Sequence, residues 1–227
     1  MKHAKMLVSY IVLVVILLVY AFPIIWTIST SFKLETEYRA FPPTIIPNEP
    51  TLVWYEASFP DVFGIEFYPG GVYRMRPIPM APFLRNSLIV SISTALLCVL
   101  VGSVAAYGID RFRVGGRNLK FFILSTRMFP AIVAVIPLYI MFKGLGLINS
   151  VVSLIIINTA FNIPLSVWLM AGFLREIPKD LDDAAQIDGC SRIGAFFRAV
   201  LPVCTPGLAA IAVLSFLFSW NEFMIPL

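Results

Sequence analysis

Five apolar stretches, each long enough to cross a bilayer, leave this chain few ways to fold. They run approximately over 7–29, 86–108, 120–142, 150–173 and 203–227. A spanning helix needs ~20 residues at a rise of ~1.5 Å each. In hydrocarbon every backbone N–H and C=O must be paired within the segment, so such stretches become helices. Composition agrees: hydrophobic residues make up 59% of the chain and charged ones 13%, about half the charged share of a soluble domain. The expected fold is an all-α polytopic helical bundle, one membrane domain over 1–227. The run from Met6 to about Ile28 exceeds a signal-peptide core and is followed by no small-residue cleavage site, so it reads as a retained anchor.

Charge orients the spans. Lys2 and Lys5 precede the first one. Arg111, Arg113, Arg117 and Lys120 crowd the link after the second against a single acid, Asp110. Arg175, Lys179, Arg192 and Arg198 lie in 174–202. These three places share one side if every span crosses, and the positive-inside rule makes that side, with the N-terminus, cytoplasmic. The 30–85 segment is then extracytoplasmic. It is rich in proline, and its Trp54, Tyr55, Phe59 and Phe67 suit a membrane interface. Its length also keeps a docking role for an external partner open.

The inventory excludes much chemistry. Cys98, Cys190 and Cys204 have no paired spacing, and His3 is the one histidine. No metal site and no catalytic constellation can be assembled from them. Neither a phosphate-binding GxxxxGK[ST] loop nor a GxSxG elbow occurs. An enzyme is not expected, nor a nucleic-acid partner. A process that needs ATP would take it from another subunit.

The segment 174–202 stands out against this background. Pro178 suits a first helical position. Asp180, Asp182 and Asp183 fall in the first turns, where carboxylates favour the positive helix end. Leu181, Ala184 and Ala185 share a face that two alanines make thin. Gly189 stands where a helix stop needs φ > 0, and Ser191 can cap a second helix. Ile193, Phe196, Phe197, Val200 and Leu201 then recur on one helical face, before Pro202 breaks the pattern. The expected unit is a cytoplasmic hairpin: a short helix, a turn and an amphipathic helix lying against the membrane domain.

From Asp183 to Pro202 the chain reads D-A-A-x3-G-x9-A-x-L-P. This resembles the EAA loop of bacterial ABC importer permeases, E-A-A-x3-G-x9-I-x-L-P. Ala184, Ala185, Gly189, Leu201 and Pro202 match it. Asp183 replaces the glutamate and Ala199 the isoleucine. SFKLETE (31–37), PLYIMFKGLGLINS (137–150), IPLSVWLMAGFLREIP (163–178) and SWNEF (219–223) are similar to the maltose-type carbohydrate permeases. The resemblance implies a type I ABC importer transmembrane domain in a prokaryotic cytoplasmic (inner) membrane. It implies a second permease subunit, two copies of an ABC ATPase that bind the ATP and Mg, and an extracytoplasmic solute-binding protein. No cofactor is then expected in this chain. The hairpin would be the coupling element, with Asp183, Ala184, Ala185, Gly189, Leu201 and Pro202 as its ATPase-coupling residues. The family has six spans where five are visible here, so a C-terminal truncation is expected.

Polar groups within spans usually face protein or water. Asn158, Asn162 and Ser166 recur every four residues in the fourth span. They read either as a solute-facing stripe or as interhelical packing. Trp220, Asn221 and Glu222 are a second candidate contact with the solute, against an interfacial reading. Ser87, Ser91, Thr94, Cys98 and Gly102 form a small-residue ridge expected to pack helices. Arg127 is expected to snorkel to the cytoplasmic interface. Two other functions stay open on the residues alone. A secondary transporter or channel would need coupling carboxylates or broken helices in paired halves. A membrane scaffold would recruit a cytosolic protein through the hairpin.

Overall fold

A computed structural model describes residues 2–59, 79–116 and 118–223. The assignment of Phe67 to the interface, Arg117, and the end of the fifth stretch fall outside them. All regular structure among the described residues is helical. The chain divides into two compact units, Met1–Phe83 and Leu84–Leu227, where the sequence reading draws one domain.

The first unit begins with α1 (Lys2–Ser31), apolar all round and exposed over its hydrophobic length. Such a helix suits lipid rather than a protein core. Two short helices come next, α2 (Glu35–Tyr38) and α3 (Val53–Ser58). Lys33 is 1% exposed. Its Nζ donates to the Thr44 carbonyl and lies 4.7 Å from the Trp26 ring centroid. Trp54 Nε1 donates to the Lys33 carbonyl at 2.7 Å. The Glu37 carboxylate accepts from Asn48 N (2.8 Å), Thr44 Oγ1 (2.9 Å) and Asn48 Nδ2 (3.0 Å). Two ionisable side chains thus gather the proline-rich stretch by bonding its backbone.

The second unit is built on α4 (Met80–Arg111) and α7 (Val151–Glu176), both long and apolar enough to span. Between them the 120–142 stretch is not a single rod. It divides into α5 (Leu119–Ser125) with a 3₁₀ turn at Thr126–Met128, then α6 (Ala131–Gly144), bent by 92°. Pro130 explains the break, because a proline pushes the residue before it into extended backbone; Phe129 has ψ 125°. After α7 come α8 (Asp180–Ile187), α9 (Arg192–Ala195), a π turn (Phe196–Val200), α10 (Leu201–Val203) and α11 (Thr205–Trp220). Among the described residues three helices are long and apolar enough to cross a membrane, or up to five spans if each bent pair counts as one.

The small residues of α4 pack as the sequence indicates. Ser91, Thr94, Cys98 and Gly102 are buried, although Ser87 is exposed. A methyl group added at Gly102 would lie 2.7 Å from Ser166 Cβ, so α4 and α7 touch backbone to side chain there. Beside this contact lies the core: Cys98, Ala106 and Tyr107 from α4, Val167, Met170 and Leu174 from α7, with Phe196, Val200 and Ile211.

Candidate functional site

The hairpin folds as its local sequence dictates, with three corrections. Pro178 stands outside the first helix, which begins at Asp180 after an N-cap at Lys179. At the far end Cys190 N donates to Ala185 O and Gly189 N to Gln186 O, both at 3.0 Å. That is the paired closure of a Schellman motif, and it places Gly189 at φ +87°. Ser191 then caps α9, accepting from Gly194 N at 3.1 Å. The second correction concerns the amphipathic face. Ala195, Phe196 and Val200 are buried, while Ile193 is 72% and Phe197 47% exposed. A π turn over Phe196–Val200 rotates the expected stripe. Pro202 has no N–H to offer Arg198, and a widened turn just before it accommodates that loss. Third, the sharp bend lies not at Pro202 but at Cys204, where the helical segment Arg192–Val203 meets α11 at 81°.

One side of α8 is committed to its own membrane domain. Asp182 is 6% and Ala185 9% exposed, and Leu181 is half-buried. Tyr107 OH donates to Asp182 Oδ1 at 2.5 Å. Arg111 Nε lies 2.9 Å from Asp182 Oδ2, an ion contact without hydrogen-bond alignment. Arg111 also reaches Asp110 Oδ2 at 3.5 Å and donates through Nη2 to the Ile177 carbonyl at 3.1 Å. Lys120 Nζ completes the group on Asp110 Oδ1 at 2.6 Å. Two acids face two bases, so the buried charge is balanced. The Phe196 ring closes over Tyr107 with centroids 4.5 Å apart. None of these partners was legible as a partner in the sequence, where Asp182 looked like one more helix-start acid and Arg111 a topology charge.

The other side of α8 is open. Asp183, Ala184, Gln186, Ile187 and Gly189 are all exposed, Ile187 at 87%. A cleft beside them is lined by Lys179, Asp183, Gln186 and Arg192, with Phe112 on its wall. Of the six coupling candidates, Asp183, Ala184 and Gly189 lie on this open side, and Pro202 is exposed further along. Ala185 and half-buried Leu201 point into the domain instead.

The polar stripe of α7 is buried: Asn158 and Asn162 are each 4% exposed and Ser166 1%. Each bonds back to the carbonyl four residues earlier, at 2.9, 2.8 and 3.1 Å, and Ser166 Oγ also meets Ser215 Oγ at 3.4 Å. Trp220 and Asn221 at the end of α11 are exposed, and Glu222 is half-buried. Trp220 stacks on Phe216 with centroids 5.7 Å apart. The stripe is thus one buried row on α7, and the Trp220–Glu222 group stands apart at the end of α11. Arg127 corrects its expectation. It turns inward, donating from Nη1 to the Phe161 carbonyl (2.8 Å) and Asn162 Oδ1 (3.1 Å).

The second unit is thus a helix bundle whose small charged hairpin is joined to α4 by buried polar contacts. Residues 98–227 match the family of the "Binding-protein-dependent transport system inner membrane component". The chain belongs to this family. It is a permease subunit of an ABC importer, a multi-pass inner-membrane protein. This permease is 35% identical to the sulfoquinovosyl glycerol transport system permease protein SmoH of Agrobacterium fabrum, over 91% of this chain and 67% of that one. It is 32% identical to the trehalose/maltose transport system permease protein MalG of Thermococcus litoralis, over 100% and 75%. Against the diacetylchitobiose uptake system permease protein NgcG of Streptomyces coelicolor it is 30% identical, over 99% and 67%. The permease fold is also that of a bacterial ABC transporter involved in the import of the acidic polysaccharide alginate, with TM-score 0.74 at 20% identity, covering 99% of this chain and 78% of that chain.

Proposed function

We propose that the permease forms half of the translocation pathway for a sugar or sugar-like solute and takes its power stroke through α8. The carrying observation is the division of that helix: one face locked to α4 by Asp182, Tyr107 and Arg111, the other face open around Asp183, Ala184 and Gly189. A lever needs both. The small alanine lets another backbone approach closely, and an exposed carboxylate suits a basic partner. That partner is one of two ATPase subunits, which bind the ATP and Mg. Its closure pushes α8, and the ion network carries the displacement into α4. The pathway is completed by a second permease subunit, and an extracytoplasmic binding protein delivers the solute. On this reading the N-terminus and the hairpin are cytoplasmic, as the positive-inside rule also favours. The sugar class is supported by the relatives, which are named for sulfoquinovosyl glycerol, trehalose/maltose and diacetylchitobiose.

The test is assembly and transport with Asp183→Arg and Gly189→Pro. The first inverts the exposed charge. The second removes the N–H that bonds Gln186 O and forbids φ +87°. Both are expected to lose co-purifying ATPase and ATP-driven uptake while the permease still reaches the membrane. Normal assembly and uptake in both would refute the coupling assignment.

A further inference from the structure

Arg127 sits where a spanning helix breaks, and none of its contacts among the described residues carries a negative charge. Among the described residues no carboxylate lies within ion-pairing distance of it. Its contacts are neutral: the Phe161 carbonyl, Asn162 Oδ1, and the Phe218 ring, whose centroid is 4.6 Å from Cζ. The position is deep. Asn162 lies near the middle of α7, roughly 20 Å from Glu176 at a rise of ~1.5 Å per residue. An ionisable group at such depth is expensive and normally serves a pathway or a partner. Non-helical backbone such as that at Phe129–Pro130 is tolerated in a membrane where it is buried in protein or lines a water-filled cavity. Half-exposed Arg127 stands directly beside that break.

Guanidinium, amide and aromatic ring together suit a solute that is both oxygen-rich and ring-shaped. The amide and carbonyl fix the guanidinium plane, which leaves the rest of the fork for a bidentate acceptor. The ring supplies an apolar face. We propose, on the permease reading above, that Arg127 is a solute-contacting residue of the translocation pathway and that it selects for an oxyanion-bearing solute, a sugar carrying a carboxylate, sulfonate or phosphate. Such a group would supply the counter-charge that Arg127's described contacts lack.

The field of Arg127 is measurable without knowing the solute. Phe218→Cys is made in the assembled transporter, and its labelling rate is read by mass spectrometry against the parent chain with its three native cysteines. Two thiosulfonate reagents of similar size are compared, one sulfonate-tailed and one trimethylammonium-tailed. A pathway-facing Arg127 makes the anionic reagent faster. Adding Arg127→Gln is expected to lower the anionic-to-cationic rate ratio by roughly tenfold, from opposite shifts of about threefold in each, and Arg127→Lys to retain it. Phe129→Cys, at an exposed position two residues along, gives the same reading should Phe218→Cys not assemble. A thiol that reacts with neither reagent, or a ratio indifferent to Arg127→Gln, would overturn the proposal and assign the charge to an acid of the second permease. Failure of the permease reading shows separately, as a preparation in which no ATPase co-purifies.

Discussion

Two clusters of charge in the second unit are built on opposite plans. At the foot of α4, Asp110 and Asp182 face Arg111 and Lys120, and the balance is closed within one chain. Halfway along α7, Arg127 leans on an amide, a carbonyl and a ring, with no acid in reach among the described residues. The contrast teaches where to look for partners. A neutralised cluster fixes geometry and transmits force. A cluster whose described contacts are all neutral is where the proposed solute charge would enter. Breaking the first should therefore cost stability and coupling together, whereas altering the second should change what passes and leave the fold in place.

The largest effect is expected from Asp182→Asn. The amide keeps its size and still accepts from Tyr107, but the ion contact with Arg111 is lost. Removing one partner of a buried pair costs about 3–5 kcal/mol. Asp110 and the Ile177 carbonyl still hold Arg111, which places this case near the lower end. Thermal unfolding of the purified transporter should fall clearly, and ATP hydrolysis should continue without matching uptake. Unchanged coupling would show that α8 transmits force by another route and would dissolve the comparison.

Gly102→Val attacks the joint between the clusters, since α4 carries Tyr107 and Arg111 while α7 carries Asn162 and Ser166. The existing clearance to Ser166 Cβ is already below van der Waals contact for one methyl group. Overpacking of this kind costs about 1–3 kcal/mol. The expected result is lower thermal stability, with part of the loss recovered by Ser166→Gly. No rescue would mean that the two helices separate freely and the regions are not mechanically joined.

Tyr107→Phe acts on a single atom. It removes one hydrogen bond to a charged acceptor, worth about 1.5–3 kcal/mol, while the ring keeps its packing on Phe196. In the Asp182→Asn background the same change should cost less, because the acceptor is then neutral. Equal losses in both backgrounds would show that the bond from Tyr107 does not depend on the charge of its acceptor.

These tests also mark how far the sequence could be read. The hairpin was legible because its signals are local: Gly189 for a positive φ, Ser191 for a cap, and apolar spacing for a buried face. The Asp182–Arg111 contact joins helices far apart in the chain, and neither residue carries a mark of it. Hydropathy ran unbroken through 120–142 and hid the bend, although Pro130 was there to be read as a breaker. The asparagine stripe was visible by its period. Its hydrogen bonds to the carbonyls one turn back were not, since spacing cannot say which way an amide turns. Arg127 was misplaced for a related reason. A long side chain near a span's end is assigned to the interface by default, and only the helix break shows that it turns inward.

The smallest prediction lies in the first unit, where Glu37 is the mirror of Arg127: an acid held by neutral donors, but in reach of water. The hydrogen bond from Asn48 N holds its carboxyl below the usual carboxylate range, with the Thr44 hydroxyl and the Lys33 charge acting the same way against a partial opposing effect of burial. A depressed folded pKa means that the bound structure favours the ionised form. Its contribution is therefore complete above the unfolded value of ~4.3 and disappears as pH falls through the lower folded value. Hydrogen exchange at the amides of Asn48 and Thr51, which order this stretch, should be slow at neutral pH and should quicken relative to α4 amides as the medium is acidified below about pH 4. Glu37→Gln should remove most of that pH dependence. A glutamine variant that keeps the same acid-induced loosening would assign it to another carboxylate and free Glu37 from any role in ordering the segment.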